Sequence, residues 1–130
     1  MYGQFIDLPG NFAQTLERVI AALKAEGFGI LTDIDVQKTL KEKIGVEMAG
    51  YRILGACNPP LAHQALQAEP EVGLLLPCNV VVREQAAGVR VGFLDPQTMV
   101  ELTGNAQLRA VADDAGQRLQ RVRQALSAPA

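Results

Sequence analysis

The sequence contains very few of the residues that most often carry catalysis or hold metals. Its 130 residues include two cysteines, one histidine and a single serine, Ser127. Because that serine lies in the C-terminal tail, a serine-centred nucleophile elbow is excluded. The glycines of Gly27-Phe28-Gly29 and of residues 50–55 have the wrong spacing for either common phosphate-binding fingerprint. Any chemistry that needs a thiol or an imidazole must therefore depend on these two cysteines and this one histidine.

Net charge and long apolar runs are also scarce. The formal net charge is only −2, so no global field favours nucleic acid or anionic lipid. Apolar runs such as residues 72–77 are much shorter than a membrane span. The first residues lack the pattern of a secretion signal, and two cysteines without one indicate a reducing compartment. We therefore predict a cytoplasmic protein that binds neither nucleic acid nor membrane.

Length and composition predict one domain over residues 1–130. Hydrophobic residues make up 48% and charged residues 20%, which is ordinary globular usage. A chain of this length buries roughly two-thirds of the surface that its unfolded form exposes. It therefore needs no disulfide or metal to fold.

Two long amphipathic helices give the clearest secondary-structure signals. The first is predicted over residues 11–26, where Asn11 begins a capping box and Gly27 ends the helix. The second is predicted over residues 106–126, opened by Asn105. Their apolar stripes comprise Phe12, Leu16, Val19, Ile20 and Leu23 in the first and Leu108, Val111, Ala112, Ala115, Leu119, Val122 and Leu126 in the second.

Strand signals and short helices occupy the sequence between the long helices. A short strand is predicted before Pro9, and further strands are predicted at residues 28–36, 51–57, 72–84 and 89–93. In the strand at 28–36, Phe28, Ile30, Ile34 and Val36 share one buried face. Short helices are predicted after Asp35, Asn58 and Asp95, each of which can act as a cap. Pro77 cannot donate to a sheet ladder, which predicts an edge or a bulge there. The economical arrangement is an α+β fold with both long helices on one face of a mostly antiparallel sheet.

Two stretches of this chain carry a specific sequence pattern. Residues 51–60 are Y-R-I-L-G-A-C-N-P-P, and residues 74–82 are L-L-L-P-C-N-V-V-V. With residues 33–43 and Asp95-Pro96, they resemble the domain-of-unknown-function 302 family over nearly the whole chain. The resemblance implies a β-α-β(4)-α, TATA-binding-protein-like fold and no known activity, substrate or cofactor. It is no argument for DNA binding, because function belongs to sites and not to folds.

Cys57, His63 and Cys78 are the candidate metal ligands. Their C-x5-H-x14-C spacing matches no standard zinc signature. Two thiolates and an imidazole with an open fourth position would nonetheless suit zinc or another soft metal. The competing interpretation is structural, because cysteine is often buried and Cys78 shares an apolar strand face. A helical histidine without a carboxylate partner is typical of a surface residue.

Cys57 also immediately precedes a predicted helix. A helix N-terminus favours the thiolate form, so Cys57 is the candidate catalytic thiol. The simpler interpretation of the same segment is that Asn58 is only the helix cap. We predict Cys57, Asn58, Cys78 and Asn79 as ligand-binding residues.

Three functions remain open at this point. The leading prediction is a non-catalytic, homodimeric module that holds a small ligand or metal near Cys57 and Cys78. The alternatives are a thiol-dependent redox enzyme using Cys57 and a purely structural protein-interaction module. The homodimer is predicted because residues 72–82 are apolar on both strand faces, more surface than one helix layer covers.

Overall fold

The computed structural model describes residues 2–128, which form five strands, five α-helices and two 3₁₀ helices. The strands are β1 (Gly3–Leu8), β2 (Gly29–Asp35), β3 (Tyr51–Cys57), β4 (Cys78–Gln85) and β5 (Gly88–Leu94). The helices are α1 (Phe12–Ala25), α2 (Val36–Ile44), α3 (Pro59–Ala68), α4 (Gln97–Thr103) and α5 (Arg109–Ser127), with 3₁₀ helices at Pro70–Leu75 and Ala106–Leu108. Among residues 2–128, no helix has the length and apolar character needed to cross a membrane.

All five strands form one antiparallel sheet in the order β1-β5-β4-β3-β2. The first strand in the sequence therefore pairs with the last, and β1 and β2 are the sheet edges. The α+β prediction is confirmed. The β-α-β(4)-α order is also present, with α2, α3 and α4 inserted between its main elements.

The long helices α1 and α5 pack together on one face of the sheet. Val19 of α1 and Leu119 of α5 are fully buried in the same cluster as Val80 of β4. Burying such side chains contributes about 25 cal/mol per Å² of apolar surface. The opposite face of the sheet is not covered by either long helix.

Helix α5 connects two buried apolar clusters. Its C-terminal half, including Leu119 and Val122, belongs to the cluster beneath the sheet. Its N-terminal half, including Val111 and Ala115, packs with residues of α3 and α4 in a second cluster. The apolar stripe predicted along this helix therefore packs against the sheet with its C-terminal half and against α3 and α4 with its N-terminal half.

Side-chain caps fix the starts of α1 and α2 as predicted. The predicted start of the last long helix at residue 106 is wrong, because Ala106–Leu108 is a 3₁₀ helix and α5 begins at Arg109 without a side-chain cap. The Oδ1 atoms of Asn11 and Asp35 accept hydrogen bonds from backbone N–H groups three residues later, each at 3.0 Å. Asp95 Oδ1 accepts from Gln97 N at 3.0 Å at the start of α4. Helices α2 and α4 end at Gly45 and Gly104, whose φ angles of 70° and 66° lie in the left-handed region.

The predicted face of β2 is wrong beyond Ile30. A register shift between Ile30 and Thr32 inserts a β-bulge, which moves later side chains to the other face. Ile34 therefore pairs with Ile53 on the uncovered face and is 48% exposed, whereas Phe28 is buried. Val36 already belongs to α2.

The predicted strand over residues 72–84 is wrong over residues 72–77. Pro70–Leu75 forms a 3₁₀ helix, and β4 begins only at Cys78. Because Pro70 and Pro77 have no N–H to donate, the segment between them leaves the ladder. β4 is an interior strand, and Pro77 immediately precedes its first residue. The predicted edge or bulge at Pro77 is therefore wrong.

Candidate functional site: an apolar pocket lined by both cysteines

Both cysteines line one pocket of about 290 Å³. The pocket lies where β3 ends and β4 begins, and α3, α4 and α5 supply its walls. Apart from the two thiols and the amide of Asn58, its lining side chains are apolar, among them Phe28, Leu61, Ala65, Met99, Val111 and Ala115. No charged side chain among the described residues lines it. Such a wall suits an uncharged, apolar molecule.

Antiparallel pairing of β3 with β4 brings the two cysteines to the same end of the sheet. Ala56 lies directly opposite Cys78, and Cys57 is the last residue of β3. Both cysteines are free. The two thiols therefore lie near one another in the same pocket wall.

Cys78 is held in its protonated form. Its side chain is buried, with only 9% of the residue exposed. Burial and, to a lesser extent, the nearby Cys57 together raise the pKa of this thiol from 9.0 to about 11. A thiol that is neutral at physiological pH behaves as a small hydrophobic group with a weak donor, and not as a nucleophile.

Cys57 is more accessible than Cys78. It is half-buried in the pocket wall, immediately before the N-terminus of α3. Of the two thiols, Cys57 is therefore the one that a reagent or ligand reaches first.

Asn58 has a structural role beside its place in the pocket wall. Its Oδ1 accepts a hydrogen bond from Leu61 N at 3.3 Å and so caps α3. Its Nδ2 lies against the backbone at Gly27, where an added Cβ would stand 2.9 Å away. Gly27 therefore permits the loop after α1 to approach the start of α3, which holds Cys57 and Asn58 in position.

His63 and Asn79 do not join the cysteines in the pocket. His63 is exposed on α3, two residues from both Leu61 and Ala65, and a two-residue step turns about 200° around a helix. His63 therefore faces away from the wall that those residues form. Asn79 faces the uncovered side of the sheet. Within residues 2–128, no three His, Cys, Asp or Glu side chains form a group that could hold a metal ion.

The distant walls of the pocket were missed by reasoning from the sequence. Met99, Val111 and Ala115 come from α4 and α5, far from the cysteines along the chain. The available signal was the series of alanines at Ala62, Ala65 and Ala115, whose small side chains leave space between facing helices. The alanines predict a pocket only when it is already known that α3 and α5 face one another.

Fold and site together define a small α+β domain with an apolar, thiol-lined pocket at one end of its sheet. The chain belongs to the family described as "Domain of unknown function DUF302", whose pattern matches residues 6–126. It is similar to the crystal structure of the uncharacterized conserved protein DUF302 from Bacillus stearothermophilus, with a TM-score of 0.89 and 30% identity. That similarity covers 97% of this chain and 98% of the other. A comparison with curated proteins finds no match.

Proposed function

We propose that this chain is a non-catalytic domain that binds a small, uncharged, apolar molecule in the pocket beside Cys57 and Cys78. The observation that carries the proposal is the pocket itself, about 290 Å³ with walls that are apolar except for two thiols and one amide. This volume is close to the lower end of the range for small-molecule sites, about 300–1,000 Å³. Each Å² of apolar ligand surface removed from water contributes about 25 cal/mol.

The two thiols fit a role in binding. Cys78 keeps its proton at neutral pH because burial raises its pKa to about 11. Sulfur is polarizable and packs favourably against the edges of aromatic rings. An apolar ring is therefore the ligand that both the shape and the chemistry of the wall suit best.

The test is a titration of uniformly ¹⁵N-labelled protein with indole, followed by two-dimensional NMR. Indole should shift the backbone amides at the end of β3 and the start of β4. In Ala62→Phe, the new ring enters the pocket from a half-buried position, and these shifts should disappear. Gln64→Phe places the same ring on the exposed face of α3 and is the matched control. Indole binding that is equally strong in Ala62→Phe would contradict the proposal.

The alternative function is a thiol-dependent redox enzyme that uses Cys57. It is supported by the presence of two free cysteines in one pocket, one of them accessible. Oxidation by a peroxide would join the two sulfurs, release two protons and pass two electrons to the peroxide. Intact-mass analysis after brief treatment with dilute hydrogen peroxide separates the two functions. Rapid, reversible loss of two hydrogen atoms supports the enzyme, whereas unchanged mass in a protein that binds indole supports the binding domain.

We also propose that the chain forms a homodimer. Leu74 and Leu102 line one surface groove and are 87% and 67% exposed. Two leucines exposed side by side are typical of a surface that another protein covers. Sedimentation velocity at micromolar concentration should give a dimer in the parent and a monomer in Leu74→Ser/Leu102→Ser. A monomeric parent would contradict this part of the proposal.

Two further assignments belong to the same proposal. The free cysteines suit a cytoplasmic location, since reducing compartments keep thiols unpaired. The sharing of α5 by both apolar clusters supports a single domain, because neither cluster is complete without that helix.

A further inference from the structure

A second concave site of about 330 Å³ lies on the uncovered face of the sheet. Side chains from β1, β3, β4 and β5 line it, so it is separate from the thiol-lined pocket on the helix-covered side. Unlike that pocket, it contains charged residues. Of the described residues that line it, Arg83 and Arg90 carry charge.

Arg83 and Arg90 lie directly opposite one another on neighbouring strands. Like charges in this position destabilise a sheet. Arg90 is compensated, because its Nη1 donates to both oxygens of Asp7 at 3.0 and 3.2 Å. Gln85 Nε2 donates to the same carboxylate at 2.9 Å. The carboxylate of Asp7 therefore accepts hydrogen bonds from Arg90 and Gln85, and its negative charge compensates Arg90.

Arg83 has no such compensation. Within residues 2–128, it makes no ion pair and no side-chain hydrogen bond to another described residue. The groove therefore has an excess of one positive charge when Asp7, Arg83 and Arg90 are taken together. A guanidinium with unused donors beside a second guanidinium provides a site for an anionic group.

The floor of the groove is flat and apolar. The Phe5 ring lies across two strands, where an added Cβ at Gly3 or Gly92 would stand 3.0 or 2.9 Å from it. The Arg90 guanidinium lies over this ring, 4.9 Å from its centroid. Val81 continues the floor beside the ring, and the groove also includes Tyr51. Glycines at positions 3 and 92 are thus required for the ring to lie flat on the sheet.

We propose that this groove binds an organic anion with a flat apolar body, whose acidic group lies between Arg83 and Arg90. The apolar body would pack against Val81 and the edge of the Phe5 ring, because the Arg90 guanidinium already covers the face of that ring. The guanidinium groups would donate to the oxygens of a carboxylate or phosphate in paired hydrogen bonds. The two arginines then face a shared counter-charge, which relieves their mutual repulsion. This inference is independent of the thiol-lined pocket, because the two sites lie on opposite faces of the sheet.

The test compares three probes that share a ring system: naphthoate, naphthyl phosphate and the neutral naphthalene methanol. Binding is followed by two-dimensional NMR of the full chain. Either anion, or both, should shift amides of β4 and β5 that flank Arg83 and Arg90, and the neutral probe should bind at least about tenfold more weakly. Added salt should weaken binding of the anions and leave the neutral probe unaffected.

Arg83→Gln is the decisive variant, and Arg109→Gln on the exposed side of α5 is the matched control for loss of charge. Arg83→Gln should raise the dissociation constant for the bound anion about tenfold, and Arg109→Gln should leave it unchanged. Arg83→Lys keeps the charge but lacks the planar fork, so an intermediate loss is expected. The unfolding temperature of Arg83→Gln should be equal to or above that of the parent, because a like-charge contact is removed.

Three results would overturn the proposal. The first is equal binding of the neutral and anionic probes, which would make the groove merely hydrophobic. The second is unchanged anion affinity in Arg83→Gln or Arg83→Lys. The third is concentration-dependent shifts of the groove amides without any probe, which would show that a second copy of the chain covers this face.

Discussion

Cys78 should resist alkylation at neutral pH far more strongly than an ordinary thiol. Burial raises its pKa from 9.0 to about 11, and only the thiolate attacks an alkylating reagent. At about pH 7.5 the thiolate fraction is then roughly 3 in 10,000, compared with roughly 3 in 100 for a pKa of 9.0. The expected loss of rate is therefore about a hundredfold from ionisation alone, before any hindrance from the surrounding side chains.

The assay is a pH series of iodoacetamide alkylation rates, measured by intact mass. In Cys57→Ser, Cys78 is the remaining thiol, and its rate should increase about tenfold per pH unit to beyond pH 10. Cys57→Ser removes the smaller cause of the shift, so the effect of burial should persist. In Cys78→Ser, the accessible Cys57 should react much faster at neutral pH.

Steric shielding and a raised pKa both slow alkylation, but they change the pH profile differently. Shielding lowers the rate at every pH and leaves the midpoint near 9, whereas a raised pKa moves the midpoint itself. A plateau for Cys78 near pH 9 in the folded protein would refute the reasoning. The same variant unfolded in guanidinium should show the ordinary profile and serves as the internal reference.

Three other measurements test the burial of individual positions in the fold. Leu119→Ala should lower the unfolding free energy by about 2–5 kcal/mol in urea denaturation, because this side chain is only 1% exposed; a loss below about 0.5 kcal/mol would remove it from the core. The folded protein keeps the Cys78 proton up to about pH 11, while the unfolded chain releases it near 9. Stability should therefore fall by roughly 2 kcal/mol between these pH values relative to Cys78→Ala, and parallel pH curves would contradict this. Gly55→Val should lower the thermal unfolding midpoint by several degrees, because its Cβ would overlap the Thr32 hydroxyl and approach Pro77 Cγ to 2.8 Å; an unchanged midpoint would show that both neighbours move freely.

The parts of the fold that the sequence predicts well are those with local causes. The strand at residues 51–57 and the cap at Asn58 lie where predicted, because alternation, a capping side chain and two prolines act within a few residues. The first helix was predicted over residues 11–26 and forms at Phe12–Ala25 for the same reason. Local rules also place Gly45 and Gly104 at helix ends.

The parts that it does not predict depend on partners far along the chain. Residues 72–77 have the apolar composition of a strand, but the two flanking prolines and packing of Val72 against the α5 cluster favour a 3₁₀ helix. The bulge between Ile30 and Thr32 is defined by pairing with β3 and leaves no clear trace in a single strand. Likewise, the pocket needs α4 and α5 to close it, so its cysteines could be identified but its shape could not.

The two Cys-Asn pairs show why adjacency in sequence is a poor guide to a site. Cys57-Asn58 lies at a junction between a strand and a helix, where the backbone changes direction, and both residues line the thiol pocket. Cys78-Asn79 lies within a regular strand, where neighbouring side chains alternate between faces. Cys78 therefore lines the pocket, while Asn79 joins Arg83 in the groove on the other side. The two residues of Cys57-Asn58 therefore line the same site, whereas those of Cys78-Asn79 line different sites on opposite faces of β4.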